Sequence, residues 1–227
     1  MNSSYFNTGI YGVPDAARLT GVSTWRIRRW LRGYRFKSGK KAYESPALWH
    51  GQWEPIFRSM ALGFRDLIEI RFVDAFLKSG VSWVILRQAH ERGKAMFNVS
   101  HPFCTQRFMT DGRQIFVELH NETGEPSLIE IARQQTVFRR IVKPLLLQLE
   151  FARPDEVRWW PLGLKHAVVL DPTRNFGRPI IAQRGVPTEV LAKAMAACGS
   201  IAEVSRWYEV PEAEIRDAVE YEQQLAA

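Results

Sequence analysis

The sequence predicts an α+β protein, mainly helical. A basic winged helix-turn-helix forms its head, a small β-rich region its middle, and a three-helix unit of helix-turn-helix type its tail. Three observations carry this. Short segments with apolar residues at helical spacing recur at both ends. Gly, Pro, Asn and Asp punctuate alternating, strand-like runs between them. Charge is also segregated: residues 1–50 hold nine Lys/Arg against two Asp/Glu, and residues 186–227 hold three against eight. A chain of 227 residues, 46% hydrophobic, has enough apolar mass for such parts. The boundaries read as 1–100, 101–165 and 166–227.

The first helix starts at Val13-Pro14-Asp15, because Pro suits a first helical turn and Asp favours the positive end of the helix dipole. Gly21-Val22 makes a tight turn. Ser23 is an N-cap residue for a second helix, from Thr24 to about Arg32. Ile27, Trp30 and Leu31 share its buried face, which leaves Arg26, Arg28, Arg29 and Arg32 on the others. Two short helices around a Gly turn, the second rich in arginine, are a helix-turn-helix pattern. The segment Gly33 to Tyr43 turns at Ser38-Gly39 and reads as a β-ribbon wing. The expected DNA contacts are Ser23, Thr24, Arg26, Arg28, Arg29, Arg32, Arg35, Lys37, Lys40, Lys41 and Tyr43. Arginine can fork onto guanine or grip phosphate, and wing lysines neutralise backbone charge.

Pro14-Asp15-Ala16-Ala17, Thr20-Gly21-Val22-Ser23-Thr24 and Arg26-Ile27-Arg28 together resemble the start of MerR-type winged-helix regulators. Leu62 to Phe72, followed by Gly80-Val81-Ser82, resembles that family's third helix and the lead-in to its fourth. The resemblance covers residues 11–95 and implies sequence-specific DNA binding. The long heptad helix that dimerises MerR activators is not visible here. One winged helix covers little DNA, so a homodimer is expected, with residues beyond 100 supplying the contact.

In the middle, Asp111-Gly112 predicts a hairpin turn followed by a strand through Leu119, and Asn121 to Pro126 another turn. Val137, Phe138, Ile141 and Val142 share a helical face that Pro144 is expected to end, with a strand from Leu145 to Phe151. The paired Trp159 and Trp160 read as buried packing between strands.

In the tail, Ala167 to Leu170 is a strand closed by Asp171-Pro172, and Ile180-Ile181 is another. Thr188 reads as the N-cap of a helix reaching Cys198, stopped by Gly199. Ser200 and Glu203 form a capping box for the next helix, and Pro211 opens the last. The pattern Val168 to Pro172, Gly177-Arg178-Pro179-Ile180-Ile181, Val186-Pro187-Thr188, Gly199-Ser200 and Ala218 to Tyr221 resembles a small domain of unknown function found in VapB-type antitoxins. A MerR-like head before such a tail resembles a longer class of these antitoxins. The resemblance implies an autorepressing antitoxin whose partners are operator DNA and a PIN-like ribonuclease toxin. The acidic face Glu212, Glu214, Asp217, Glu220 and Glu222 is the expected toxin contact, complementary to a basic RNA-holding surface. The MerR likeness alone implies a different function, a transcriptional regulator sensing a small ligand in its middle region.

Nothing in the sequence points to catalysis or a cofactor. There is no Gly-rich phosphate loop and no nucleophile elbow, and the five histidines lack metal-ligand spacing. His101 and Cys104, three apart, read as a turn-capping imidazole beside a buried thiol. Two distant cysteines, no apolar run near ~18 residues and an N-terminus without signal-peptide features predict a cytoplasmic protein.

Overall fold

The computed structural model describes residues 8–39, 41–56, 59–123, 138–153 and 156–226. The protein is α+β, and its sheets are small. The described residues fall into two compact units, Tyr11–Leu146 and a second made of Leu147 onward with residues 8–10. The sequence-derived boundaries at 100 and 165 do not coincide with this division.

The first unit uses one local design twice. Strand β1 (Ile10–Gly12) leads into helix α1 (Val13–Thr20) and then α2 (Thr24–Arg32). Strand β4 (Ala61–Gly63) leads into α3 (Phe64–Lys78) and then α4 (Trp83–Phe97). Each first helix is capped by glycine. The carboxylate three residues on accepts from the glycine N–H, Asp15 from Gly12 at 3.2 Å and Asp66 from Gly63 at 2.7 Å. Each then ends in a Gly-Val-Ser turn. Gly21 and Gly80 take positive φ, a region that favours glycine. Ser23 and Ser82 accept from Arg26 and Ile85 N–H groups, starting the second helix of each pair. β1 and β4 pair, and α1 packs on α3.

The antiparallel hairpin β2 (Tyr34–Ser38) and β3 (Lys41–Ser45) lies between the two halves in sequence. Gly33 permits it: a Cβ there would lie 2.4 Å from the Ser45 carbonyl oxygen, and its φ is +72°.

The hairpin expected at Asp111-Gly112 is instead the interior of a helix, α5 (Gln106–Thr123). Phe108, Gly112, Ile115 and Leu119 form one buried stripe at helical spacing. Gly112 is needed because the Phe108 ring lies against it. Packing has overridden the local turn preference. Likewise the turn expected from Asn121 starts as helix, and residues 124–137 lie outside the described residues. Residues 138–146 are helical (α6), with Phe138, Ile141 and Val142 buried as expected. The helix passes Pro144, whose fixed φ is itself helical, and the strand begins only at Leu149. Phenylalanines join these helices: Phe76 lies 5.6 Å from Phe103, 5.0 Å from Phe116 and 6.2 Å from Phe138 between ring centroids.

A buried polar cluster sits beside that aromatic core. Asp66 accepts from Trp49 Nε1 at 2.8 Å, Gln52 N at 2.9 Å and His101 Nε2 at 2.7 Å, besides Gly63. Ser100 Oγ lies 2.8 Å from the other ring nitrogen of His101. The thiol of Cys104 donates to the His101 carbonyl. One turn along α3, Glu69 lies 3.0 Å from His90 Nε2 and accepts from Phe103 N. Burial pushes Glu69 up to about 8 and His90 down to about 3. Burial thus disfavours the charged form of each group.

The second unit is built on an antiparallel sheet ordered β5 (Leu149–Arg153), β6 (Glu156–Trp159), β7 (Val168–Leu170) and β8 (Pro179–Ile181). Trp159 is buried and pairs with Leu170, whereas half-buried Trp160 donates to Glu150. Three helices follow, α7 (Thr188–Cys198), α8 (Ile201–Tyr208) and α9 (Glu212–Ala226), with α7 packed on α9. Thr188 is not the N-cap of α7. That position belongs to Pro187, and the buried Thr188 hydroxyl instead donates to Glu222 at 2.5 Å. Ser200 does cap α8, accepting from Glu203 N, while the Glu203 carboxylate takes the Cys198 thiol.

The buried pair gives the first unit a definite pH response. The folded state keeps the Glu69 proton between pH 4.5 and 8, where the unfolded chain has lost it, so this group's contribution falls as pH rises through that window. His90 acts oppositely from 3 to 6.5, because the folded state lacks a proton that the unfolded chain holds. The stability difference between wild type and Glu69→Gln should therefore fall by about 1.4 kcal/mol per pH unit across the Glu69 window. Urea unfolding at a series of pH values measures it, and a pH-independent difference contradicts a Glu69 pKa raised by burial.

Candidate nucleic-acid interface

The buried side of α2 is made by Ile27, Trp30 and Leu31, which fixes where its arginines go. Arg28 and Arg32 are exposed. Arg29 is held between two rings, 4.2 Å from the centroid of Trp25 and 3.4 Å from that of Tyr34. Arg26 points elsewhere. It pairs with the buried Asp74 of α3 at 2.7 Å and lies over Trp30, so it braces α2 against α3. Lys78 pairs with the same carboxylate. Ser23 is the N-cap of α2 and Thr24 its half-buried first residue.

The hairpin register sorts the wing residues onto two faces. Phe36 opposes Tyr43, and Tyr34 opposes Ser45. Side chains alternate along a strand, so Tyr34, Phe36, Lys41 and Tyr43 share one face and Arg35, Lys37 and Glu44 the other. Arg35 lies 3.8 Å from Glu44. Phe36 and Tyr43 stack at 5.4 Å with planes 19° apart, and both are 45% exposed. Lys40 lies outside the described residues.

Arg87 of α4 anchors the base of this hairpin. Its guanidinium donates to the Ala47 and Pro46 carbonyls at 3.0 and 2.7 Å and to Ser45 Oγ at 3.3 Å. Leu48 N donates to the Trp30 carbonyl, which ties the chain leaving the hairpin to the end of α2. Sequence reasoning missed Trp25, Tyr34, Phe36 and Arg87. For the hairpin aromatics a signal existed, since positions 34, 36 and 43 fall on one face once the turn is set at Ser38-Gly39. For Arg87 none did, because its acceptors are carbonyls about forty residues away.

The acidic residues of α9 are largely used within their own unit. Asp217 accepts from His166 Nδ1 at 2.9 Å and from Ala167 N at 2.8 Å. Glu222 holds Thr188, Glu212 pairs with Arg216, and Glu220 accepts from Gln224. Glu214 Oε2 is buried. Among the described residues no helix is long and apolar enough to cross a membrane, and no group of three or more His, Cys, Asp or Glu is placed to hold a metal ion.

Comparison with known proteins bears on both units. Residues 168–221 match a family model described as a protein of unknown function, DUF433. The chain is 26% identical over 235 residues to a Mycobacterium tuberculosis (strain H37Rv) protein provisionally named antitoxin VapB45. That match covers 95% of this chain and 94% of the relative. The fold is shared with the crystal structure of Rv2018 from Mycobacterium tuberculosis, with a TM-score of 0.63 at 22% identity. It covers 92% of this chain and 96% of that one.

Arg87→Ala should leave two carbonyls at the hairpin base without their charged donor and cost about 1–3 kcal/mol of stability. Amide exchange measured by mass spectrometry should quicken in residues 34–45 and stay unchanged in residues 188–226. Unaltered exchange in the hairpin would show that another contact holds it.

Proposed function

We propose that this chain is the antitoxin of a toxin–antitoxin pair, neutralising its toxin and repressing its own operon. The observation that carries the reading is the end-to-end similarity to a protein named as an antitoxin. The match to DUF433 within the second unit supports it. The first unit supports DNA binding: two short helices around a Gly turn, exposed arginines on the second, and a basic hairpin beside it. In this reading the arrangement is a MerR-like winged helix-turn-helix, and the protein binds operator half-sites as a homodimer. The toxin is a PIN-like ribonuclease held by the second unit. With Asp217 and Glu222 committed to internal bonds, the toxin contact draws on other exposed residues of that unit. The protein acts by binding, in the cytoplasm, and needs no cofactor.

The test is co-expression of the full chain with the growth-inhibiting protein encoded beside it, together with a reporter for its own promoter. Wild type should restore growth and silence the reporter. Arg28→Ala should keep the rescue and lose about 1–3 kcal/mol of operator affinity, about five- to 150-fold. A folded Arg28→Ala protein that fails to rescue growth would contradict separate surfaces for the two tasks. A wild-type chain that relieves no neighbour's toxicity would overturn the antitoxin reading.

A further inference from the structure

Aromatic side chains on a basic surface are costly to leave in water, and this chain displays a row of them beside its arginine helix. Trp25 is 61% exposed. Arg29 is sandwiched between Trp25 and Tyr34, Tyr34 lies 5.8 Å from Phe36, and Phe36 stacks on Tyr43. The result is one ladder, Trp25–Arg29–Tyr34–Phe36–Tyr43, that crosses from α2 to the hairpin. Lys41 shares its hairpin face by register. Arg35 and Lys37 alternate to the opposite face, so one flat contact cannot use all the wing cations together.

The geometry points to the aromatic face of the hairpin as the face that meets DNA, packing its rings on the apolar face of a nucleotide while Arg32 and Lys41 hold the flanking phosphates. This rests on the DNA-binding reading above and adds a contact that charge alone does not supply. The occupant follows from complementarity. The cations demand a polyanion, and the stacked rings demand a flat or apolar group at the spacing of a backbone. A nucleotide offers both, as a deoxyribose or as an unstacked base. An acidic protein surface offers only the first.

The consequence is a part of the affinity that salt does not screen. Phosphate contacts set the slope of log K against log salt, while ring contacts set its height. Full-length protein is titrated by fluorescence anisotropy into a labelled duplex of the DNA immediately upstream of its reading frame, over a range of salt concentrations. Phe36→Ala and Tyr43→Ala should each weaken binding about tenfold at every salt concentration and leave the slope unchanged. Tyr43→Phe should restore most of the loss. Lys41→Ala should flatten the slope by about one unit. Val84→Ala, which trims a more exposed apolar side chain outside the ladder, should bind as wild type. Thermal melts verify that each variant is folded, as the exposure of Phe36 and Tyr43 predicts. The same titration with 2-aminopurine at successive positions tells the two nucleotide faces apart. A rise in its emission identifies an unstacked base, and an unchanged signal with the same ring dependence identifies the sugar.

Wild-type binding that Phe36→Ala and Tyr43→Ala leave intact would overturn the aromatic face while leaving the DNA-binding reading standing. Wild-type protein that binds no duplex would overturn both. Variants that bind DNA normally but lose co-purification with the neighbouring gene product would make the ladder a protein interface, against the inference.

Discussion

The first unit depends on one buried carboxylate. Asp66 takes four donors from three places in the sequence: Trp49 and Gln52 in the segment after the hairpin, Gly63 at the start of α3, and His101 in the turn before α5. A buried charge without partners costs several kcal/mol, so these segments must converge for the unit to fold. Asp15 occupies the matching place in the first half of the repeat, yet it is exposed and caps its own helix. The same local device is thus a helix start in one copy and the organiser of the unit in the other. Glu69 and His90 beside it extend the polar cluster, and burial disfavours the charged form of each.

From this centre the interface is positioned stepwise. Trp49 and Leu48 are buried, and Leu48 ties back to the end of α2. Arg87 holds the carbonyls of Pro46 and Ala47, which fixes the outgoing strand of the hairpin. Arg26 leans on Asp74, so α2 is set against α3. Each link is a side chain that meets backbone or a buried partner, and together they leave Arg28, Arg32 and the aromatic ladder facing outward. Arg26 carries the charge expected of a DNA contact but is engaged in support of the helix.

Much of this architecture was legible in the sequence. The paired Gly-Val-Ser turns, the buried stripe of α2 and the hairpin turn, which falls one residue later than expected, after Ser38, are local rules, and local rules survive folding. The tail elements were legible for the same reason, as Gly199 and Ser200 show. The hairpin expected at Asp111-Gly112 was a misreading, because Gly112 makes room for the Phe108 ring one turn back in the same helix and the 3.6 spacing of Phe108, Ile115 and Leu119 outweighs the turn chemistry. The polar cluster could not be read at all. His90 and His101 have no spacing motif, and their partners lie on α3, 21 and 35 residues away in sequence, respectively. The division of the α9 carboxylates between internal bonds and solvent was equally hidden, since Asp217 finds His166 only through the fold.

The central claim is that the two units hold separate surfaces, one for DNA and one for a protein partner. Hydrogen–deuterium exchange of the full chain tests it directly, measured alone, with the upstream duplex, and with the neighbouring gene product. The duplex should slow exchange in residues 23–45 and leave residues 168–226 unchanged, while the protein partner should do the reverse. Protection of the same peptides by both ligands, or protection of α7 to α9 by DNA, would contradict it.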